Sequence, residues 1–203
     1  PKDIPFLSLW VICTYFSINI FIKLTKELYL KNIDVILISF LTAFLLSIRI
    51  SGVLIFIQYI FTLIIFLNLE KMTLKHLLKK MYKHIFSFIL LVLTVTYLLY
   101  PAFWKNPLMF IEAINEMSNY INNVCTLTLG KCMFSNKLDP TYIPIWLSVK
   151  LPLIILIGIL LLPLTEKKIF NGKAEKLTFG TLLLSIFVIP IILILKKVHL
   201  YDE

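Results

Sequence analysis

Histidine, glycine and acidic residues are scarce in this chain, which has three His, five Gly and eleven Asp or Glu among 203 residues. The histidines, His76, His84 and His199, are too scattered to predict a metal site, and no glycine-rich loop of a nucleotide-binding fold is present. The sequence therefore predicts no histidine metal site and no nucleotide-binding site. We also expect no nucleic-acid partner.

Apolar residues make up most of the chain. Hydrophobic residues are 60% of the sequence, charged residues are only 15%, and the mean hydropathy is +0.93. A compact water-soluble core could not hide that much apolar surface. The composition predicts an integral membrane protein.

Six apolar runs predict the membrane spans. The backbone finds no water in lipid, and these runs lack the alternation of barrel strands, so each run predicts a helix. The expected fold class is all-α: a polytopic transmembrane protein of about six helices, forming a single domain over residues 1–203, with one long loop at 101–142. The predicted spans are Ile4–Ile22, Val35–Ile48, Val53–Leu67, Ile85–Tyr100, Ile143–Leu164 and Leu177–Leu195.

The lysines predict the orientation of these spans. Residues 23–34, 68–84 and 165–176 hold twelve of the twenty basic residues, and they share one side if the spans alternate. By the positive-inside rule that side is cytoplasmic. We therefore expect a multi-pass protein of the inner (plasma) membrane whose 101–142 loop is external.

The basic interval Glu70–His84 has two interpretations. Its lysines either orient the spans and do nothing more, or form the polar face of an amphipathic helix on the inner leaflet.

Two cations lie where they could meet an anion in the membrane. Arg49 follows the short run Val35–Ile48, and an arginine at that depth either reaches the headgroups or binds an anion. Gly52 predicts a tight turn just after Arg49.

Lys150 precedes Pro152, which predicts a kink at that point. Alternatively, the chain before Lys150 lies along the interface, and the lysine marks where it turns inward.

Cys125 and Cys132 flank Gly130 in the predicted external loop. A small disulfide and two unpaired thiols are both compatible with this spacing. Cys13 lies inside the first span, where we expect it to act as a small apolar residue.

Several short motifs resemble the bacterial membrane glycosyltransferases of family 39, of the GT-C superfamily. The family includes protein O-mannosyltransferases, and the aminoarabinose transferase of lipid A is related. The motifs occur in order along most of the chain: Pro1-Lys2-Asp3-Ile4-Pro5-Phe6, Tyr100-Pro101-Ala102-Phe103-Trp104 with Asn106-Pro107, Glu112 with Met117-Ser118-Asn119, Tyr142-Ile143-Pro144 with Val149-Lys150-Leu151-Pro152, and His199-Leu200-Tyr201-Asp202.

The resemblance implies an enzyme that moves a sugar from a polyprenyl phosphate to an acceptor on the outer face of the membrane. Lipid and the lipid-linked sugar would be its partners; no cofactor is certain, and the resemblance leaves a divalent cation open. Asp3 matches an acidic residue of the family's second outer loop and is the catalytic candidate, with a helix-capping role as the alternative. Arg49 and Lys150 are the candidates for binding the lipid phosphate. Further loop candidates are Tyr142, His199 and Asp202.

The family's principal catalytic acid lies upstream of any residue in this chain. We therefore expect a piece of a longer protein, inactive when expressed alone. Glu112 and Glu116, four residues apart, predict the polar face of an amphipathic helix over Phe110–Met117 and not the missing base. The sugar, the acceptor and the oligomeric state cannot be read from these motifs.

A non-enzymatic polytopic membrane protein is the alternative function. A transporter fragment would place polar residues at mid-helix and show an internal repeat, and no repeat is found. A membrane assembly subunit is equally compatible with the composition.

The predicted orientation can be tested by cysteine labelling in intact cells. In a background with Ser at the native cysteines, Asn122→Cys should react with an impermeant thiol reagent and Lys79→Cys should not, because the lysine-rich segments are cytoplasmic. The reverse pattern would invert the topology.

Overall fold

A computed structural model describes residues 3–26, 30–106, 108–119, 125–128, 130–134, 141–170 and 172–196 of the chain. The chain is helical throughout this part apart from one hairpin, which confirms the all-α class. The helices are α1 (Asp3–Thr25), α2 (Asn32–Ile48), α3 (Leu54–Glu70), α4 (Leu74–Leu99), α5 (Ala102–Lys105), α6 (Met109–Asn119), α7 (Tyr142–Lys150), α8 (Leu153–Ile169) and α9 (Lys173–Lys196), and the strands are β1 (Cys125–Thr128) and β2 (Lys131–Phe134).

Three helical stretches of the described chain are long and apolar enough to cross a membrane: Asp3–Thr25, Ile50–Glu70 and Leu74–Leu99. The second includes a 3₁₀ turn, Ile50–Val53, that leads into α3. α2 is apolar but has only 17 residues, about 25 Å of helix against a hydrocarbon core of about 30 Å. The predicted count of six spans stays a prediction.

The fourth predicted span has a different start from the one expected. α4 begins at Leu74, not at Ile85, so the lysines of the basic interval occupy the first turns of the spanning helix itself. Hydropathy falls at these lysines, but lysine is a good helix former, and the helix therefore continues through them. The preceding α3 ends at Glu70 and is capped by Lys71, whose backbone is left-handed with φ of 52°.

The predicted fifth span is two helices. α7 and α8 meet at an angle of 114°, far more than a proline kink in one continuous helix. Pro152 lacks an N–H, and Leu151 is already extended. The break is where Lys150 and Pro152 predicted it, but the pair is either a broken span or a re-entrant segment.

The chain forms two compact units. One comprises Pro1–Asn115 with Gly172–Leu184, and the other comprises Glu116–Asn171 with Ser185–Glu203. We refer to them as the first and second unit.

The lysine-rich segments of the first unit gather at one end, the lysine-rich end. Phe66, Leu77 and Leu177 form a buried cluster there, joining α3, α4 and the start of α9. Lys23 binds Asp34 at 2.7 Å across the α1–α2 connection, and Lys173 binds Glu70 at 2.8 Å. This arrangement agrees with the predicted alternation of the helices.

In the second unit, β1 and β2 pair in antiparallel register. Cys125 lies opposite Phe134, and Cys132 lies opposite Leu127, so the two cysteines are diagonal in the ladder. The choice between a disulfide and two unpaired thiols stays a prediction.

α6 agrees with the predicted amphipathic helix, since Glu112 and Glu116 are both exposed on it.

Gly52 is predicted to be the most sensitive glycine of the first unit. A Cβ at this position would lie 3.0 Å from the carbonyl oxygen of Leu45, a backbone atom that cannot swing away. Gly52→Ala should therefore lower the free energy of unfolding in detergent by about 1–3 kcal/mol. Gly158→Ala is the control, because a Cβ there meets nothing within 4 Å, and Ala in a helix should gain about 0.5–1 kcal/mol. Equal effects of the two substitutions would contradict the close approach at Gly52.

Candidate functional site

The backbone around Arg49 holds this residue at the turn between α2 and α3. Arg49 is extended, with φ of −146° and ψ of 134°. Its N–H donates to the Leu45 carbonyl at 3.3 Å, and its carbonyl accepts from the Gly52 N–H at 2.9 Å. The predicted tight turn at Gly52 is therefore present. It stops α2 and presents the arginine at the end of the helix.

The structure brings two predicted site residues together. Nη2 of Arg49 lies 2.7 Å from Oδ1 of Asp3, and the guanidinium also lies 5.9 Å from the ring centroid of Phe6. Asp3 begins α1 and Arg49 follows α2, and the two helices are antiparallel neighbours. We call Asp3, Phe6 and Arg49 the arginine site; it lies at the end of α1 and α2 opposite the lysine-rich end.

The arginine site is open to its surroundings. The side chains of Arg49 and Asp3 are 44% and 73% exposed. An ion pair this exposed contributes about 0–1 kcal/mol to stability, and a surface cation–π contact contributes about 0.5–1 kcal/mol. A guanidinium has five N–H donors, so an incoming anion can bind it without the loss of much folding energy.

Asp3 satisfies both of its predicted roles in geometry. It lies in the first turn of α1, where a carboxylate interacts favourably with the helix dipole. It also contacts the arginine, as a site residue would.

Lys150 lies on the second unit as the last residue of α7. Its ammonium is 5.9 Å from the ring centroid of Trp146, one helical turn earlier, and the lysine is exposed. Tyr142 begins the same helix and is buried, with 4% exposure. The indole N–H of Trp146 is buried and finds no hydrogen-bond acceptor among the residues described.

The remaining predictions have no structural outcome. His199 and Asp202 lie outside the described residues. Within the described ranges, no three His, Cys, Asp or Glu side chains lie close enough together to hold a metal ion.

A buried polar cluster between α1, α2 and α3 was missed in the sequence. Thr14, Thr42, Gln58 and Tyr59 join the three helices inside segments predicted as uniformly apolar, and Cys13 is fully buried beside them. The Gln58 amide donates to the Thr14 hydroxyl at 2.7 Å, and the Thr14 hydroxyl donates to the Trp10 carbonyl at 2.8 Å. A glutamine in the middle of an apolar run was the available signal.

The direction of the hydrogen bonds in the cluster can be assigned. The Thr42 hydroxyl donates to the Ile38 carbonyl at 2.7 Å, so its 2.9 Å contact with Tyr59 must use the tyrosine O–H as donor. The side-chain carbonyl oxygen of Gln58 is buried and has no donor among the described residues. Apart from that oxygen, the cluster is internally satisfied, which is typical of polar contacts that hold transmembrane helices together.

Comparison with protein-family models, curated proteins and solved structures finds no match to this chain. The resemblance to family 39 therefore stays a prediction that depends on the motifs alone.

The Gln58–Thr14 contact can be tested by a double-mutant cycle in detergent. Thr14→Val removes the acceptor and should destabilise the protein by about 1–3 kcal/mol, because it leaves the buried Gln58 amide unpaired. Adding Gln58→Leu removes the unpaired group, so the double variant should recover part of the loss. Strictly additive losses would show that the two side chains do not interact.

Proposed function

We propose that the chain is part of an integral-membrane glycosyltransferase of the GT-C type in the inner (plasma) membrane. The enzyme would move a sugar from a polyprenyl phosphate to an acceptor on the outer face. The observation that supports this most is the contact between Asp3 and Arg49, since the two were predicted as site residues independently, Asp3 from a family motif and Arg49 from its position after a short apolar run. Their end of the helices is opposite the lysine-rich end, as an outward-facing site requires.

Arg49 would bind the phosphate of the donor. An arginine forms paired, charge-assisted hydrogen bonds with phosphate oxygens, and these are stronger where water is partly excluded. When the acceptor oxygen attacks the sugar, the bond from the anomeric carbon to the phosphate oxygen breaks, and negative charge develops on the departing phosphate. A guanidinium already in place would stabilise that charge.

Asp3 would lose its ion pair with Arg49 when the phosphate binds. Binding of phosphate to Arg49 competes with the 2.7 Å ion pair, so the carboxylate becomes available to hydroxyl groups of the sugar or the acceptor. It could position either one, or hold a divalent cation. The base that removes the acceptor proton is expected in the family's upstream loop, outside this chain.

Lys150, on the second unit, stays a separate prediction for phosphate binding, taken from the sequence alone. It is exposed at the sharp break between α7 and α8, and it lies beside the ring of Trp146. Tyr142, at the other end of α7, is buried and would hold this short helix in place and not contact the donor.

A non-enzymatic polytopic protein, either a transporter or an assembly subunit, is the second candidate. The buried Gln58, with its unpaired oxygen, favours it, because intramembrane polar residues often line substrate pathways. However, Gln58 is only 1% exposed and is bonded to Thr14, so the described residues show no path to it. Dependence of activity on a lipid-linked sugar distinguishes the two candidates.

The transferase proposal predicts a specific defect in use of the donor. In the full-length protein, Arg49→Gln and Lys150→Gln should each raise the KM for a radiolabelled polyprenyl-phosphate sugar about tenfold or more, since a hydrogen bond to a charged group contributes about 1.5–3 kcal/mol. Lys79→Gln, which removes an exposed cation at the lysine-rich end, is the control and should change neither abundance nor KM. Unchanged donor dependence in both site variants would overturn the role of these cations.

A further inference from the structure

The first unit contains a second candidate site, distinct from the arginine site. An apolar cavity of about 380 Å³ lies among α1, α2, α3 and α4. Ligand pockets typically measure about 300–1,000 Å³, so this volume is enough for part of a small molecule. Its lining is aliphatic and aromatic except for Ser17, Tyr59 and His84; the apolar residues include Ile20, Ile38, Ile60, Leu63, Leu78 and Met81.

The shape of the cavity fits a hydrocarbon chain. On α4 its lining begins at Leu74, at the lysine-rich end, and extends to Phe88. Fourteen residues of helix rise about 21 Å, and one leaflet is about 15 Å of hydrocarbon, half of a core of about 30 Å. A groove of this length can hold an extended acyl chain from a lipid of the leaflet at that end.

Water is a poor occupant of this space. A buried water needs two to four polar partners, and the three polar side chains of the lining could satisfy only a few waters. Apolar cavities accept apolar ligands instead, because the side chains around an empty space lose dispersion contacts.

Charge at the mouth of the cavity selects the headgroup. The lining residues of α4 form a stripe at helical spacing, and Lys75 and Lys80 lie along its two edges. Lys31 follows Leu30, another lining residue, and all three lysines are exposed. Among the described residues, Asp34 pairs with Lys23 and Glu70 pairs with Lys173, and none of the three lysines forms an ion pair with a described residue. These three exposed lysines are therefore suited to bind an anionic headgroup.

We infer that this cavity binds one acyl chain of an anionic phospholipid whose headgroup contacts Lys31, Lys75 and Lys80. The lipid belongs to the leaflet at the lysine-rich end, which is the opposite end of the helices from the arginine site. This site is independent of the proposed transferase activity. It anchors α4 to α1 and α2 through the lipid chain as well as through protein contacts.

Native mass spectrometry of the purified protein in detergent tests the headgroup. The probes are phosphatidylglycerol, which is anionic, and phosphatidylcholine with the same acyl chains, which has no net charge. We expect the protein to retain one phosphatidylglycerol. Each lysine that contacts the headgroup should raise the preference for phosphatidylglycerol over phosphatidylcholine by up to about fivefold. Equal retention of the two lipids would overturn the inference.

Two double variants of α4 provide matched charge controls. Lys75→Gln with Lys80→Gln removes the edge lysines and should reduce the preference for phosphatidylglycerol to about fivefold or less, the share left to Lys31. Lys79→Gln with Lys83→Gln removes the same charge from the other face of the helix and should leave it unchanged. Equal losses in both would show general surface attraction without a site and would overturn the inference.

Photocrosslinking tests the cavity itself. Phosphatidylglycerol with a diazirine at the end of one acyl chain should label half-buried lining residues such as Phe56 and Leu63. Leu63→Trp fills the cavity and should abolish that label, whereas Leu93→Trp, at a position 65% exposed on α4, should not. Labelling confined to the exposed surface of α4, with none in the cavity, would overturn the inference.

Discussion

Backbone groups that enter lipid must find their hydrogen-bond partners within the protein, and the rest of this structure depends on that constraint. It explains why the apolar runs are helices and why departures from helix are short. The extended residue Arg49 is followed at once by a 3₁₀ turn, and the break at Leu151 is followed at once by α8. Each departure also places a cation, Arg49 or Lys150, at a helix end. The helix breaks are therefore the places where a charged side chain is available to bind a ligand.

The ion pairs at the two ends of the first unit differ in how deeply they are buried. At the lysine-rich end, Asp34 is about nine-tenths buried and pairs with Lys23, within a packed region that includes Phe66 and Leu177. At the other end, Asp3 and Arg49 pair while remaining exposed. A partly buried pair resists exchange with an external ion, whereas an exposed pair exchanges readily. This contrast favours the arginine site for a ligand that arrives and leaves, and the lysine-rich end for orientation and lasting lipid contact.

The helices over the apolar runs were predictable because a long apolar run has few alternatives in lipid. Ile4–Ile22 lies within α1, and Leu177–Leu195 lies within α9. The start of α4 was not predictable from hydropathy, since the lysines between positions 75 and 83 lower the hydropathy and yet are helical. Asp3 could be identified from a motif and Arg49 from its position after a short apolar run, but their contact depends on how α1 packs against α2. Gln58 was overlooked because one amide barely changes the hydropathy of its run, although burial beside Thr14 makes that amide important.

The length of α4 makes its position sensitive to bilayer thickness. Its 26 residues extend about 39 Å, roughly 9 Å more than a typical hydrocarbon core. An unbroken helix of this length must either tilt or let its lysine-bearing turns project into the headgroups. In a thicker membrane the helix stands more upright, and in a thinner one it leans further. A change in membrane thickness is therefore expected to act on α4 first, through its tilt or through how far its lysine-bearing turns project.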